Sequence, residues 1–159
     1  MIPAAMRDEI VAHARAGLPN EACGIIAGLD DRAERFFPAQ PDEPSPYYYR
    51  IESRDQIRIM NEIDDAGLDL IGIYHSHVSS PAYPSRTDAE QAFWPDATYV
   101  IVSLAGGGAD IKGYRIAEMD DSQNVVVLFA DGGSKYMSAG LYTTPLEELE
   151  AAMDERVWW

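Results

Sequence analysis

The chain has 159 residues, of which 47% are hydrophobic and 25% charged, and its formal net charge is −15. Such a composition is typical of one globular domain that buries its own core. A strongly acidic surface repels nucleic acid and anionic membranes, and no apolar run reaches the ~18 residues of a membrane-spanning helix. The single cysteine excludes an intramolecular disulfide and a multi-cysteine zinc cluster. We therefore expect no nucleic-acid or membrane partner and a reducing, cytoplasmic location.

Two helices are predicted in the first half of the chain. Met6, Ile10 and Ala14 recur at helical spacing after Pro3, a residue suited to a first helical turn, so residues 3–16 are expected to form a helix. A second helix is predicted over residues 54–66 from the same spacing of apolar residues before a closing glycine: Ile57, Met60, Ile63 and Gly67.

Apolar and β-branched runs predict the strands of a sheet. These runs are residues 24–28, 32–39, 46–52, 70–75, 98–104, 110–116 and 124–130. Short turns separate the last three runs, which favours an antiparallel meander. Because helices and strands alternate over the first two thirds of the chain, we expect a single α/β domain in which helices flank a mixed sheet.

The chain is expected to divide into a domain over residues 1–130 and a C-terminal segment over residues 131–159. The sequence T-P-L-E at 144–147 is a capping-box start, and the apolar residues after it predict an amphipathic helix that packs on the domain or on a partner. Two interpretations of Trp158 and Trp159 stay open. They cover the domain or a homodimer mate, or they belong to a disordered end.

Two of the three histidines stand one residue apart, at the end of the strand predicted over residues 70–75. Side chains at positions i and i+2 of a strand point to the same face, so His75 and His77 are able to share one metal ion. Asp88 is the nearest carboxylate downstream, after a turn rich in proline and serine that can bring it back to the imidazoles. Two histidines and one aspartate leave a fourth position for water, as in catalytic zinc sites.

Other interpretations of these residues stay open at this point. Ser85 to Asp88 is also an acceptable capping box for the following short helix, although Ser85 is well placed to stabilise an oxyanion. An iron oxygenase would use the same two histidines and one carboxylate. Cys23 would serve a cysteine protease as its nucleophile, but its place at the start of a buried strand favours a packed thiol. His13 is expected on the exposed side of the first helix.

The spacing of the polar residues resembles the JAMM motif, H-x-H-x7-S-x2-D, of the MPN-plus zinc metallopeptidases. His75, His77, Ser85 and Asp88 fit this motif without a gap, and Glu21 stands where the family has a glutamate ahead of its first strand. The resemblance implies that the two histidines and Asp88 bind one zinc ion per chain. It also implies that Glu21 is the general acid/base and that Ser85 donates a hydrogen bond to the oxyanion.

Within that family, the sequence is most similar to the small bacterial Mec-type branch, over about residues 4–118. The segments EACGIIAG, YHSHVSSPAYPSRTD and DATYVIVSL carry this similarity. Members of the branch are cysteine peptidases that remove cysteine from the C-terminus of a ubiquitin-like sulfur carrier protein. The resemblance therefore implies an MPN-like fold with a curved mixed sheet, and a partner with an extended C-terminal tail.

The sequence departs from the family pattern next to the expected substrate groove. Many family members have proline after the second histidine, whereas this chain has Val78. Segment 78–84 is the expected groove, because it joins the metal ligands to Ser85. The tyrosines at 47–49 either pack in a strand or include a substrate contact. Two further functions stay open: an isopeptidase that removes ubiquitin-like modifiers from proteins, and a non-catalytic MPN scaffold, which the complete motif argues against.

Overall fold

The computed structural model describes residues 2–30, 32–116 and the backbone of 126–129. The predicted C-terminal helix, Trp158 and Trp159 lie outside these residues, and the division of the chain near residue 130 stays a prediction. The described elements, in chain order, are α1 Ala4–Ala16, β1 Cys23–Leu29, β2 Arg32–Ala39, α2 Ser53–Asp65, β3 Asp69–His77, α3 Arg86–Glu90, β4 Thr98–Ser103, a 3-10 turn Ala105–Gly107, β5 Asp110–Ile116 and β6 Val126–Phe129.

The strands form one mixed sheet in the order β2-β1-β3-β4-β5-β6. β1 is antiparallel to both β2 and β3, β3 and β4 are parallel, and β4 and β5 are antiparallel. The predicted mixed sheet is therefore confirmed, as is the antiparallel pairing of β4 with β5. Parallel neighbours need a long crossover, and residues 78–97, which include α3, provide it between β3 and β4.

The core lies on both faces of the sheet, because successive strand residues point in opposite directions. Ile25 of β1 packs on the face that α2 covers with Ile59 and Ile63. The next residue, Ile26, packs on the opposite face, which α1 covers with Ile10. Among the described residues, no helix is both long enough and apolar enough to span a membrane.

The strand predicted over residues 46–52 is wrong. The segment is irregular, and its only β contact in the described structure is an isolated bridge between Ile51 and Pro41. Proline has no backbone N–H to donate to a ladder, and Pro41, Pro44 and Pro46 all fall in this part of the chain. Its aromatic residues have other roles, described below.

The expected exposure of His13 is also wrong. This residue follows Ile10 by three positions, so it lies at the edge of the buried face of α1. Its ring makes edge contacts with Phe36 at 5.7 Å and with Tyr74 at 5.9 Å between centroids. Burial lowers the pKa of its imidazole, although Glu9 opposes this effect.

Two isoleucines of α2 test the placement of this helix. Ile59 is 0% exposed and Ile57 is 61% exposed. We expect Ile59→Ala to lower the free energy of unfolding by about 2–5 kcal/mol, because it leaves a cavity in the core. Ile57→Ala removes the same atoms from an exposed position and should change the free energy of unfolding by less than about 0.5 kcal/mol. Denaturant titrations measure the free energy of unfolding of both variants. Equal losses of stability would contradict the burial of Ile59 and the exposure of Ile57.

Candidate metal centre and active site

The C-terminal end of β3 presents both histidines to one face of the sheet. His75 is completely buried and His77 is 4% exposed. Their Nε2 atoms are 3.1 Å apart. Tyr74 points the other way and packs in the core beneath α1. The alternation of a strand therefore brings the two imidazoles together, as the sequence predicts.

Asp88, in the first turn of α3, faces the same two nitrogen atoms. Its Oδ1 lies 3.4 Å from Nε2 of His75, and its Oδ2 lies 3.4 Å from Nε2 of His77. Four ligands held tetrahedrally at ~2.0–2.1 Å from zinc are separated from one another by about 3.3–3.4 Å. The three side chains are therefore spaced as ligands of a single ion, and they form a candidate metal-binding group.

The charge states of two of the three candidate ligands, His75 and Asp88, suit metal binding. Burial lowers the pKa of His75, and the hydrogen bond to Asp88 only partly opposes that effect. Burial raises the pKa of Asp88, but its contacts with the two histidines outweigh this and hold the pKa well below its usual range. A neutral imidazole and an ionised carboxylate are the forms that ligate metals. A set of two nitrogens and one oxygen is typical of catalytic zinc centres.

A hydrogen bond fixes the orientation of His77. Its Nδ1 lies 2.8 Å from the carbonyl oxygen of Pro81, so Nδ1–H donates and Nε2 keeps its lone pair for the cluster. The crossover after β3 therefore holds the ring. Nδ1 of His75, by contrast, is buried and has no hydrogen-bond partner among the described residues.

The pairing of β1 with β3 positions Glu21. Cys23 lies opposite His75 in the register of the two strands. The backbone N–H of Ser76 donates to the carbonyl of Ala22 at 2.9 Å, and the N–H of Ala22 donates to Oγ of Ser76 at 2.8 Å. The next residue back, Glu21, is thus opposite His77 and on the face that carries the imidazoles.

The environment of Glu21 favours proton transfer. Its side chain is buried, and its backbone N–H donates to the carbonyl of Ser45 at 2.8 Å. Burial raises the pKa of Glu21 to about 7, although His77 opposes this shift. A carboxyl group that titrates near neutral pH can both accept and return a proton, as a general acid/base must.

Ser85 is the N-cap of α3 and forms a capping box with Asp88. Its N–H donates to Oδ2 of Asp88 at 2.6 Å, and its Oγ accepts from the N–H of Asp88 at 3.1 Å. Because the hydroxyl acts as acceptor in this bond, its own proton stays available for donation. Capping the helix and donating to an oxyanion are therefore compatible.

Cys23 does not have the environment of a nucleophile. Its side chain is completely buried. Burial raises the pKa of the thiol to about 12, with Asp55 and Glu21 adding to the shift. Since the thiolate is the reactive form, the structure supports the predicted packed thiol.

Comparison with known proteins identifies the family. The family model described as prokaryotic homologs of the JAB domain matches residues 3–117. The chain belongs to this family. It is 42% identical over 121 residues to the CysO-cysteine peptidase of Mycobacterium tuberculosis. This alignment covers 74% of this chain and 83% of that protein.

Two further relatives of this JAB-domain protein agree with that assignment. The Desampylase of Haloferax volcanii is 39% identical over an alignment of 109 residues, and the match covers 63% of this chain and 77% of that protein. A solution structure of a protein from Desulfitobacterium hafniense aligns with a TM-score of 0.69 and 32% identity, over 80% of this chain and 88% of that one. The resemblance to JAMM-type peptidases and the predicted MPN-like fold are confirmed by these matches.

The sequence predicts no part in the metal cluster for three residues that contact it or its neighbours. Ser76 binds the backbone beside Glu21, Pro81 holds His77 through its carbonyl, and the ring of Tyr49 stacks on His75. The carbonyl of Pro81 and the hydroxyl of Ser76 act through contacts between distant segments, and no local pattern indicates them. For Tyr49, the run of three tyrosines is a signal, but the two interpretations that it leaves open, strand packing and a substrate contact, do not place the ring on a metal ligand.

Asp88→Asn should reduce metal binding while leaving the fold intact. An asparagine oxygen still accepts the hydrogen bond from Ser85, but the negative ligand is lost. Since loss of an outer partner alone typically costs about 10- to 100-fold in metal affinity, we expect a loss of at least about tenfold. Chelator competition with Zn²⁺ measures the affinity.

Asp64→Asn is the matched control, because it removes the same charge from an exposed position on α2. Its affinity should equal that of the unmodified protein. An Asp88→Asn variant that binds Zn²⁺ as tightly as this control would exclude Asp88 as a ligand.

Proposed function

We propose that this protein is a zinc-dependent metallopeptidase that hydrolyses the amide bond at the C-terminus of a ubiquitin-like sulfur carrier protein and releases cysteine. The convergence of His75, His77 and Asp88 on one point is the observation that carries this proposal. The carboxyl group of Glu21 interacts electrostatically with His77 and Asp88. The names of the relatives from Mycobacterium tuberculosis and Haloferax volcanii support the hydrolytic class. A cytoplasmic location fits the single, reduced and buried cysteine.

His75, His77 and Asp88 would hold the zinc ion. When bound, zinc lowers the pKa of a coordinated water to about 7 and polarises a substrate carbonyl. Glu21 accepts a proton from the attacking water as its oxygen forms a bond to the carbonyl carbon. Glu21 then gives that proton to the nitrogen as the C–N bond breaks, so the products are a carboxylate and an amine. Ser85 would donate a hydrogen bond from its hydroxyl group to the oxyanion that forms between these steps.

Segment 78–84 would contact the carrier tail through side chains. The carbonyls of Ser80, Pro81 and Ala82 accept hydrogen bonds from Ser103, His77 and Tyr114, respectively. These hydrogen bonds fix the backbone of the segment. They also occupy carbonyl groups that would otherwise accept hydrogen bonds from a carrier tail bound as an added strand. Val78, where many relatives have proline, and Tyr83, which is 58% exposed, are left as the side chains most able to select the tail.

A second candidate is an isopeptidase that removes ubiquitin-like modifiers from proteins. The 39% identity to an enzyme named Desampylase favours it. Both reactions cleave the amide at the C-terminus of the modifier and differ only in the amine that leaves. The carrier–cysteine reaction ranks first because the CysO-cysteine peptidase matches 74% of this chain, whereas the Desampylase matches 63%.

Glu21→Gln should keep the metal and lose turnover. Glutamine fills the same space but cannot exchange the proton, and positioned acid/base groups contribute about 10²–10⁴-fold to the rate. We expect a fall in kcat of this size and an unchanged zinc content, measured with a carrier–cysteine adduct by mass spectrometry. Glu34→Gln, an exposed position on β2, is the control. Full activity of Glu21→Gln would refute the assigned mechanism.

The leaving amine separates the two candidate functions. With equal concentrations of a carrier–cysteine adduct and a carrier joined to a lysine ε-amine, we expect the adduct to be cleaved faster. Competition between the two substrates in one reaction gives the ratio of kcat/KM directly. Faster cleavage of the lysine conjugate would favour the isopeptidase.

A further inference from the structure

The two histidines of the cluster are held in different ways. A metal-binding histidine almost always donates its second ring N–H to an acceptor, which fixes the orientation of the ring. His77 follows this rule through the carbonyl of Pro81. His75 does not, because its Nδ1 is buried without a hydrogen-bond partner among the described residues. Another contact must therefore set the orientation of the His75 ring.

The ring of Tyr49 provides that contact. It lies face to face with the imidazole of His75, with 4.2 Å between centroids and 15° between the ring planes. Burial raises the pKa of the Tyr49 hydroxyl, and the charge of Asp88 adds to this effect. Neighbouring tyrosines are placed differently: Tyr47 is 84% exposed, and the hydroxyl of Tyr48 donates to Glu43.

The loop that carries Tyr49 is fastened at its base. The N–H of Asp42 donates to the carbonyl of Arg50 at 2.7 Å, and the N–H of Glu52 donates to the carbonyl of Gln40 at 2.9 Å. The N–H of Gln40 in turn donates to Oδ2 of Asp55 in α2 at 2.7 Å. These hydrogen bonds join the two ends of the loop to each other and to α2. They therefore restrict the position of the Tyr49 ring.

We infer that Tyr49 is a positioning residue that holds the imidazole of His75 by stacking, so that its Nε2 faces His77 and Asp88. Rotation of the imidazole about its χ2 angle would drive its edge into the tyrosine ring, which is in van der Waals contact with its face. The stack also covers that face of the ligand. This inference rests on the metal site of the proposed function, and it assigns to an aromatic ring the role that a hydrogen bond has for His77.

Zinc affinity and the visible spectrum of the Co²⁺-substituted protein test this role. Tyr49→Leu removes the ring, and we expect Zn²⁺ affinity to fall by about 10- to 100-fold, as for other groups that orient a ligand. The ligand-field bands of Co²⁺ should shift as well. Tyr49→Phe keeps the stack, and Tyr47→Leu changes an exposed ring, so both should bind Zn²⁺ within about twofold of the unmodified protein.

Unchanged Zn²⁺ affinity and an unchanged Co²⁺ spectrum in Tyr49→Leu would overturn the inference, whereas the proposed function would survive if Glu21→Gln still lost turnover. Failure of the unmodified protein to bind Zn²⁺ would overturn both the inference and the proposed function.

A second measurement does not depend on the folding of Tyr49→Leu. In nuclear magnetic resonance spectra of the unmodified protein and of Tyr49→Phe, the ring protons of His75 should be shifted upfield by the stacked ring. An absence of that shift would also refute the inference.

Discussion

The register between β1 and β3 is the constraint on which the candidate active site depends. Cys23 is paired with His75, and two hydrogen bonds between Ala22 and Ser76 continue this pairing to the end of β3. Because strand side chains alternate, a slip of one residue would turn Glu21 away from the imidazoles. Close packing further restricts β1, since a Cβ at Gly24 would lie 2.6 Å from the carbonyl oxygen of Phe37.

The crossover from β3 to β4 supplies the remaining groups. It begins directly after His77, and hydrogen bonds to the carbonyls of Ser80, Pro81 and Ala82 fix its path. It then brings Asp88 back to the two histidines. The same carboxylate completes the capping box of α3 and faces the imidazoles, so the start of this short helix and the geometry of the candidate metal centre both depend on the Asp88 side chain.

Local patterns predict the regular elements well. The strands expected at 32–39 and 110–116 have the bounds of β2 and β5, and the helix expected over 3–16 is α1 with Pro3 as its N-cap. In α1, burial follows the helical period through Met6, Ile10 and Ala14. The strand expected at 46–52 is not formed, because the prolines in this part of the chain cannot donate to a ladder, and Tyr49 instead stacks on a candidate metal ligand.

The candidate ligands could be selected from the sequence because strand alternation and motif spacing are both local properties. The groups that orient these ligands could not be selected from the sequence. The hydroxyl of Ser76, the carbonyl of Pro81 and the ring of Tyr49 act across contacts that only the folded chain creates. The elevated pKa of Glu21 likewise arises from burial, which the sequence around it does not indicate.

The proposed function requires that His75, His77 and Asp88 together bind one zinc ion. Anomalous diffraction from crystals of the zinc-loaded protein, recorded on both sides of the zinc absorption edge, tests it most directly. We expect one anomalous peak per chain, at bonding distance from Nε2 of both histidines and from the carboxylate of Asp88, with one position left for water. A peak bound by other residues, or no peak at this site, would contradict it.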